Sequence, residues 1–343
     1  MGFNCTLMRN SIFIGQDEFG GFHAATDVIF IVAAFLILVV NVFIGILIST
    51  RRDLRTSSNI ILVSLAMSDG LTGLVAVPLL LTCSITGLNE VCITSAVSLK
   101  FVSIVSALHI LLMTVDRYLF IVYAHKYYEM VRKGRVCCVL LLVWLMGIGV
   151  SLTRLQWVIG MNVWENKDAN CDHQKILEED RKEKIFNWFC LITFFFVPLL
   201  FTIILDAKLL SVLRTQIRKI VQDNLLHIRK KQIIRTKNRE RRAVCVYLVV
   251  VTTFILCWLP YFLYDLWQQW IVLPVVLEYL IINIRFLTSL SNPVMYIMSQ
   301  RSLRRAVVTT IYKLLRAKNY KRSHEDQVIG LTTLINRTDT TQV

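Results

Sequence analysis

A chain of 343 residues that is 55% hydrophobic, with a mean hydropathy of +0.59 and only 5 prolines, is too apolar for an ordinary soluble domain. Its net charge of +15 invites a nucleic-acid partner, but the basic residues sit in short blocks between apolar runs, which argues for a membrane and against nucleic acid.

Crossing the hydrocarbon takes about 20 apolar residues. Windows of that kind fall at 28–50, 58–83, 92–120, 136–157, 185–210, 243–264 and 271–299. The runs are continuous and lack the alternation of barrel strands, so helix is the form that satisfies their backbone in lipid. The fold class predicted is an all-α membrane protein, a seven-transmembrane-helix bundle with a short amphipathic eighth helix. Basic blocks follow the first span (Arg51, Arg52, Arg55), the third (Lys126, Arg132, Lys133, Arg135), the fifth (Arg214 to Arg242) and the seventh (Arg301 to Arg322), whereas the segment from Glu165 to Glu183 is net acidic. The positive-inside rule then puts the amino terminus outside and the carboxyl terminus in the cytosol of a plasma-membrane protein. The expected organisation is an extracellular segment 1–26, a bundle 27–299, a membrane-surface helix 300–317 and a disordered cytosolic tail 318–343.

In chain order, the opening MGFNCT fits both a myristoylation signal at Gly2 and a glycosylation sequon at Asn4. The two require opposite sides of the membrane, and the charge pattern favours the sequon. Span one carries Asn41. Span two carries Asp69, a lone acid at mid-depth whose ionised form needs a cation or several hydrogen bonds. Span three ends in Asp116-Arg117-Tyr118, span four contains Trp144, and span five Pro198. Span six holds Trp258 two residues before a kinking Pro260, and span seven closes on Asn292-Pro293-Val294-Met295-Tyr296. Beyond it, Leu303, Val307, Ile311 and Leu314 or Leu315 recur at helical spacing opposite a basic face, the pattern of a helix lying on the inner leaflet.

One such residue in each span, in order, resembles the rhodopsin-like (class A) G-protein-coupled receptors: Asn41, Asp69, Arg117, Trp144, Pro198, Pro260 and Pro293. The resemblance covers roughly residues 27 to 316. It implies a non-enzymatic receptor that passes the binding of an extracellular small-molecule, lipid or peptide ligand to a heterotrimeric G protein, with arrestin as a second cytosolic partner. The rival readings are a ligand-independent receptor-like protein and a transporter, but internal repeats and broken helices are missing from the sequence. The family pattern implies a disulfide between Cys92 and Cys171, and a coupling switch built from Asp116, Arg117, Tyr118, Asn292, Pro293 and Tyr296. It makes Asp116 the first resting partner of Arg117 and Glu240, twenty residues before Pro260, the second. Asp206 stands where the family usually has tyrosine, and either pairs with Arg117 or with nearby Lys208. Phe254, Trp258 and Pro260 form the implied toggle. Asp69, Ser106, Trp258, Ser289 and Asn292 fall on the positions of an internal sodium ion, the implied cofactor, although Thr288 replaces one usual asparagine.

Leu99 stands where amine receptors place an acid, and Phe286 where opsins place the retinal-linking lysine, so neither ligand type is expected. The remaining charges near the outer pocket are Lys100, Arg154, Asp265, Glu278 and Arg285. Arg285 is the most unusual, and either meets an anionic ligand group or pairs with Glu278 on its own helix face. The terminal Thr341-Gln342-Val343 fits a PDZ-domain ligand.

Overall fold

The computed structural model describes residues 24–123, 125–165, 173–223, 249, 251–264, 266, 274–300, 302–313 and 315–316, and no strand occurs among them. Helix α1 spans Ala24–Thr50. Helix α2 covers Ser57–Thr86, helix α3 Asn89–Val122 and helix α4 Lys133–Glu165. Helix α5 runs as His173–Leu191, a π turn at Ile192–Phe196, and Val197–Asp223. Helix α6 is described over Val251–Tyr264, and helix α7 spans Val275–Ser299. Six of these are long and apolar enough to span a membrane, and α6 is a shorter apolar helix within the sixth predicted span.

Local chemistry accounts for the breaks. The Thr56 side chain accepts from the Asn59 amide at 3.3 Å and starts α2. Gly87, with φ of 62°, ends it in the left-handed region that a Cβ disfavours. A π turn at Thr72–Ala76 precedes Pro78, and the one at Ile192–Phe196 precedes Pro198. A proline inside a helix removes one donor and clashes with the carbonyl four residues back, here Leu74 and Phe194. Both carbonyls lie inside a π turn, which absorbs the defect.

The burial pattern is that of a bundle in lipid. In their most apolar windows α2 and α3 are 67% and 61% buried, against 33% for α1 and 28% for α4, so α2 and α3 are central and the outer helices offer apolar faces to acyl chains. Phe35, Ile46, Leu141, Leu145 and Leu200 are among the exposed residues. Two apolar clusters fill the interior. One joins Ile104 and Ala107 of α3 to Phe194 and Phe195 of α5 and Phe254, Trp258 and Phe262 of α6. The other joins Phe30 and Ile37 of α1, Leu80 of α2, Val102 of α3 and Phe286 of α7. Glycine sets two close approaches: a Cβ at Gly73 would lie 2.7 Å from the Ala34 carbonyl oxygen, and one at Gly147 would run into Val105 and Phe101.

The structure corrects the expected disulfide. Cys92 bonds Cys83, nine residues earlier, across the Gly87 turn, with the Cα atoms 4.8 Å apart. The last turn of α2 and the first of α3 bring the two thiols together, which removes Cys92 from any bond to Cys171. Cys171 lies outside the described residues, as do Asn4, Glu240, Asp265 and the tail. Tyr296–Val343 forms a separate compact unit. Its helix, residues 302–313, buries Leu303, Ala306 and Val307 and exposes Val308, Ile311 and Tyr312.

Candidate functional site

Three polar levels are strung along the interior of the bundle. Near the C-terminal end of α3, Asp116 is buried, and both its oxygens are in use. Ser58 of α2 donates to Oδ2 at 2.5 Å and Tyr127 donates to Oδ1 at 2.7 Å. Burial, and then the Asp116 carboxylate, push the Tyr127 pKa up, so its hydroxyl stays a donor at neutral pH. Asp116 thus answers to two hydroxyls, where the expectation paired it with Arg117; Glu240, the second expected partner, lies outside the described residues. Arg117 is half-buried, and its charge acts on Asp206 of α5, which is 9% exposed. Tyr118 turns toward Tyr123, the ring centroids 6.2 Å apart.

At mid-depth Asp69 is fully buried, and Asn292 of α7 donates to its Oδ2 at 2.9 Å. Ser106 and Ser289 are buried with it, Ser106 lying 3.3 Å from Ser68. Asp69 Oδ1, Asn292 Oδ1 and Thr288 Oγ1 have no hydrogen-bond partner. Beside them Asn41 donates to the carbonyl oxygens of Ile37 and Ser289, tying α1 to α7. Pro293, the next residue, and Tyr296, one turn further along α7, are also buried. On the far side of α2, Ser64 accepts from Trp144 at 3.0 Å and meets His109 Nε2 at 2.8 Å. His109 Nδ1 donates to the Val105 carbonyl at 2.7 Å, so the lone pair of a neutral imidazole faces the Ser64 hydroxyl.

The outer level is built on α3, α6 and α7. Phe254 stacks on Phe195 at 5.5 Å and on Trp258 at 5.9 Å, and Trp258 continues to Phe262 at 6.0 Å. The toggle aromatics are thus one ladder through the core, with Pro260 in the same helix. Arg285 of α7 is fully buried above it. Its Nε donates to Ser103 Oγ at 2.8 Å, and its guanidinium carbon lies 4.7 Å from the Trp258 ring centroid. Glu278 is buried beside Tyr264, and of the two alternatives for Arg285 the internal pair with Glu278 does not form. Glu278 sits two turns nearer the outer end, where it meets a different helix. Leu99, Lys100 and Phe286 are buried at this level too. Arg154 falls within α4, its side chain outside the description.

Sequence reasoning missed Ser58, Ser103, Tyr127 and Tyr261. Ser103 sits four residues after Leu99, on the same helix face, and that spacing was the available signal for it.

A bundle of apolar helices carrying buried polar groups at three levels is a multi-pass membrane protein. The model of the family "7 transmembrane receptor (rhodopsin family)" matches residues 40–296, and the chain belongs to that family. It is 26% identical over 284 residues to the histamine H2 receptor of Homo sapiens, covering 80% of this chain and 76% of the relative. It is 28% identical over 249 residues to the adenosine receptor A2b of Homo sapiens, covering 67% and 71%. It is 26% identical over 309 residues to a QRFP-like peptide receptor of Branchiostoma floridae, covering 85% and 78%. It is accordingly a G-protein-coupled receptor for an extracellular ligand and not an enzyme.

Proposed function

We propose that this receptor rests with Arg117 held by Asp206 of α5, and that ligand binding in the outer half releases it to a G protein in the cytosolic crevice. The supporting observation is the allocation of acids. Ser58 and Tyr127 take up Asp116, whereas Asp206 is buried in the field of Arg117. A carboxylate at that depth is costly without a cation, so the pairing stabilises whichever state contains it. Glu240 is a second acid for Arg117 when α6 is closed. The amino terminus, with its Asn4 sequon, faces outside, and the basic loops and tail face the cytosol.

A sodium ion suits the middle level. Asp69, Ser106, Ser289 and Asn292 would hold it below Trp258, and the oxygens of Asp69 and Asn292 that lack hydrogen-bond partners are the hard donors such a cation needs. When bound it supplies a counter-charge to Asp69. Hydroxyl-rich Ser323 to Thr341 suits phosphorylation and arrestin recruitment, and the Thr341-Gln342-Val343 end suits a PDZ domain.

Basal guanine-nucleotide exchange in cell membranes is the test. Asp206→Asn, which keeps shape and removes charge, should raise it several-fold, and Arg117→Ala should abolish it. Unchanged exchange in Asp206→Asn would refute the hold.

A further inference from the structure

Arg285 is the least satisfied charge in the described bundle. Its side chain is wholly buried, its Nε is used on Ser103, and Nη1 and Nη2 have no hydrogen-bond partner. Among the described residues no carboxylate forms an ion pair with it. Asp69 reaches it only through the field, and gives its Oδ2 to Asn292. What lies against the guanidinium is aromatic: Trp258 at 4.7 Å, Tyr261 at 5.7 Å and Phe286 at 5.8 Å from the ring centroids. A ring face offsets part of the desolvation of a cation, but it accepts none of the N–H bonds.

A guanidinium with two open Nη groups is a planar fork matched to two oxygens of one anion. We propose that Arg285 is the receptor for a carboxylate or phosphate group of the extracellular ligand, and that the bound anion draws the guanidinium off the face of Trp258. This rests on the reading above that the outer half of the bundle is the ligand site. The neighbouring level agrees in sign: Lys100 is a second buried cation, and Leu99 is no counter-charge for a cationic ligand. Because the fork is sealed here, an anion binds only a conformation in which the aromatic cover has opened. Its affinity therefore differs between the two states, which is the condition for a ligand to shift their populations. The opened state is also the one in which Trp258 has lost its cation. Anion capture and toggle release are one event.

The test uses the full-length protein in lipid nanodiscs, at fixed sodium and ionic strength, with the thermal midpoint as readout. Acetate, hexanoate and oleate are each compared with their neutral methyl esters. The expected result is a rise of about 2–4 °C with a carboxylate and none with its ester. Arg285→Lys, which keeps the charge but loses the fork, should retain part of the rise, and Arg285→Met none. A response to acetate or hexanoate marks a soluble acid, and a response to oleate alone marks a lipid. Absence of any carboxylate-specific rise, or an equal rise in Arg285→Met, overturns the anion site. In parallel, Arg285→Met should raise basal exchange, up to about thirty-fold if the desolvated cation–π contact contributes its full strength. Unaltered basal exchange overturns the link to Trp258. Arg117→Ala tests the receptor reading by itself, so an anion result can fail while signalling through Arg117 stands.

Discussion

Replacing Tyr127 by Phe deletes one atom from the Asp116 site and little else. The ring packs on Phe120 at 5.1 Å and on Tyr128 at 5.4 Å, and phenylalanine keeps both contacts. What is lost is the 2.7 Å bond to Asp116 Oδ1. A hydrogen bond to a charged group contributes about 1.5–3 kcal/mol, equivalent to about ten- to a hundredfold in an equilibrium. Ser58 still holds Oδ2, so Asp116 stays anchored on one side only. The freed oxygen, unsatisfied at that depth, gains most from a cation, and rotation of Asp116 toward Arg117, the next residue in the chain, adds a tether to the arginine. Tyr127→Phe should therefore lower basal exchange by up to that factor, the opposite sign to Asp206→Asn. Nucleotide exchange in membranes at matched receptor density measures it, with ligand-free wild type as reference. If Tyr127→Phe matches wild type in both exchange and thermal midpoint, the hydroxyl does not govern Asp116 and the reasoning fails.

Three further outcomes can be measured on purified protein. Gly147→Ala pushes a methyl group into Val105 and to 3.3 Å from Phe101, and overpacking of that kind costs about 1–3 kcal/mol, read as a lower unfolding midpoint. Cys83→Ser and Cys92→Ser should each cost about 2–3 kcal/mol, from closure of a nine-residue loop, and non-reducing peptide mapping should recover the Cys83–Cys92 link. Sodium titration in place of potassium should raise the midpoint more in Arg285→Met than in wild type, because the arginine's charge acts on Asp69; Asp69→Asn should lose the response altogether.

The sequence made the spans, and one marker residue inside each, readable because lipid permits so little else: Asp69, Asn292 and Trp258 end up where their span position puts them. Partner choice was not readable. Ser58 and Tyr127 are ordinary residues of a helix start and of the segment between α3 and α4, and only tertiary packing brings them to Asp116. The family pattern made Arg117 the partner of Asp116, but neighbouring helical residues point about 100° apart and do not face each other. The Cys83–Cys92 bond did leave a trace, since two cysteines at the facing ends of consecutive spans flank a turn with Gly87. Family pattern outweighed that short-range geometry.

Three of the buried charges share a physical solution that differs from ion pairing. Asp116 takes two hydroxyl donors, Asp69 takes an amide, and Arg285 takes one hydroxyl and an aromatic face. Neutral donors and rings hold a charge less tightly than a counter-ion does at the same depth, and their geometry is easier to leave. A receptor needs that property, because each of these charges must be stable in one arrangement and available in another. A direct Arg285–Glu278 or Asp116–Arg117 pair would deepen one well at the expense of exchange between the two. Weak satisfaction of Arg285 above Trp258, and of Asp69 one level below, therefore keeps the outer site and the core within a few kcal/mol of a second arrangement.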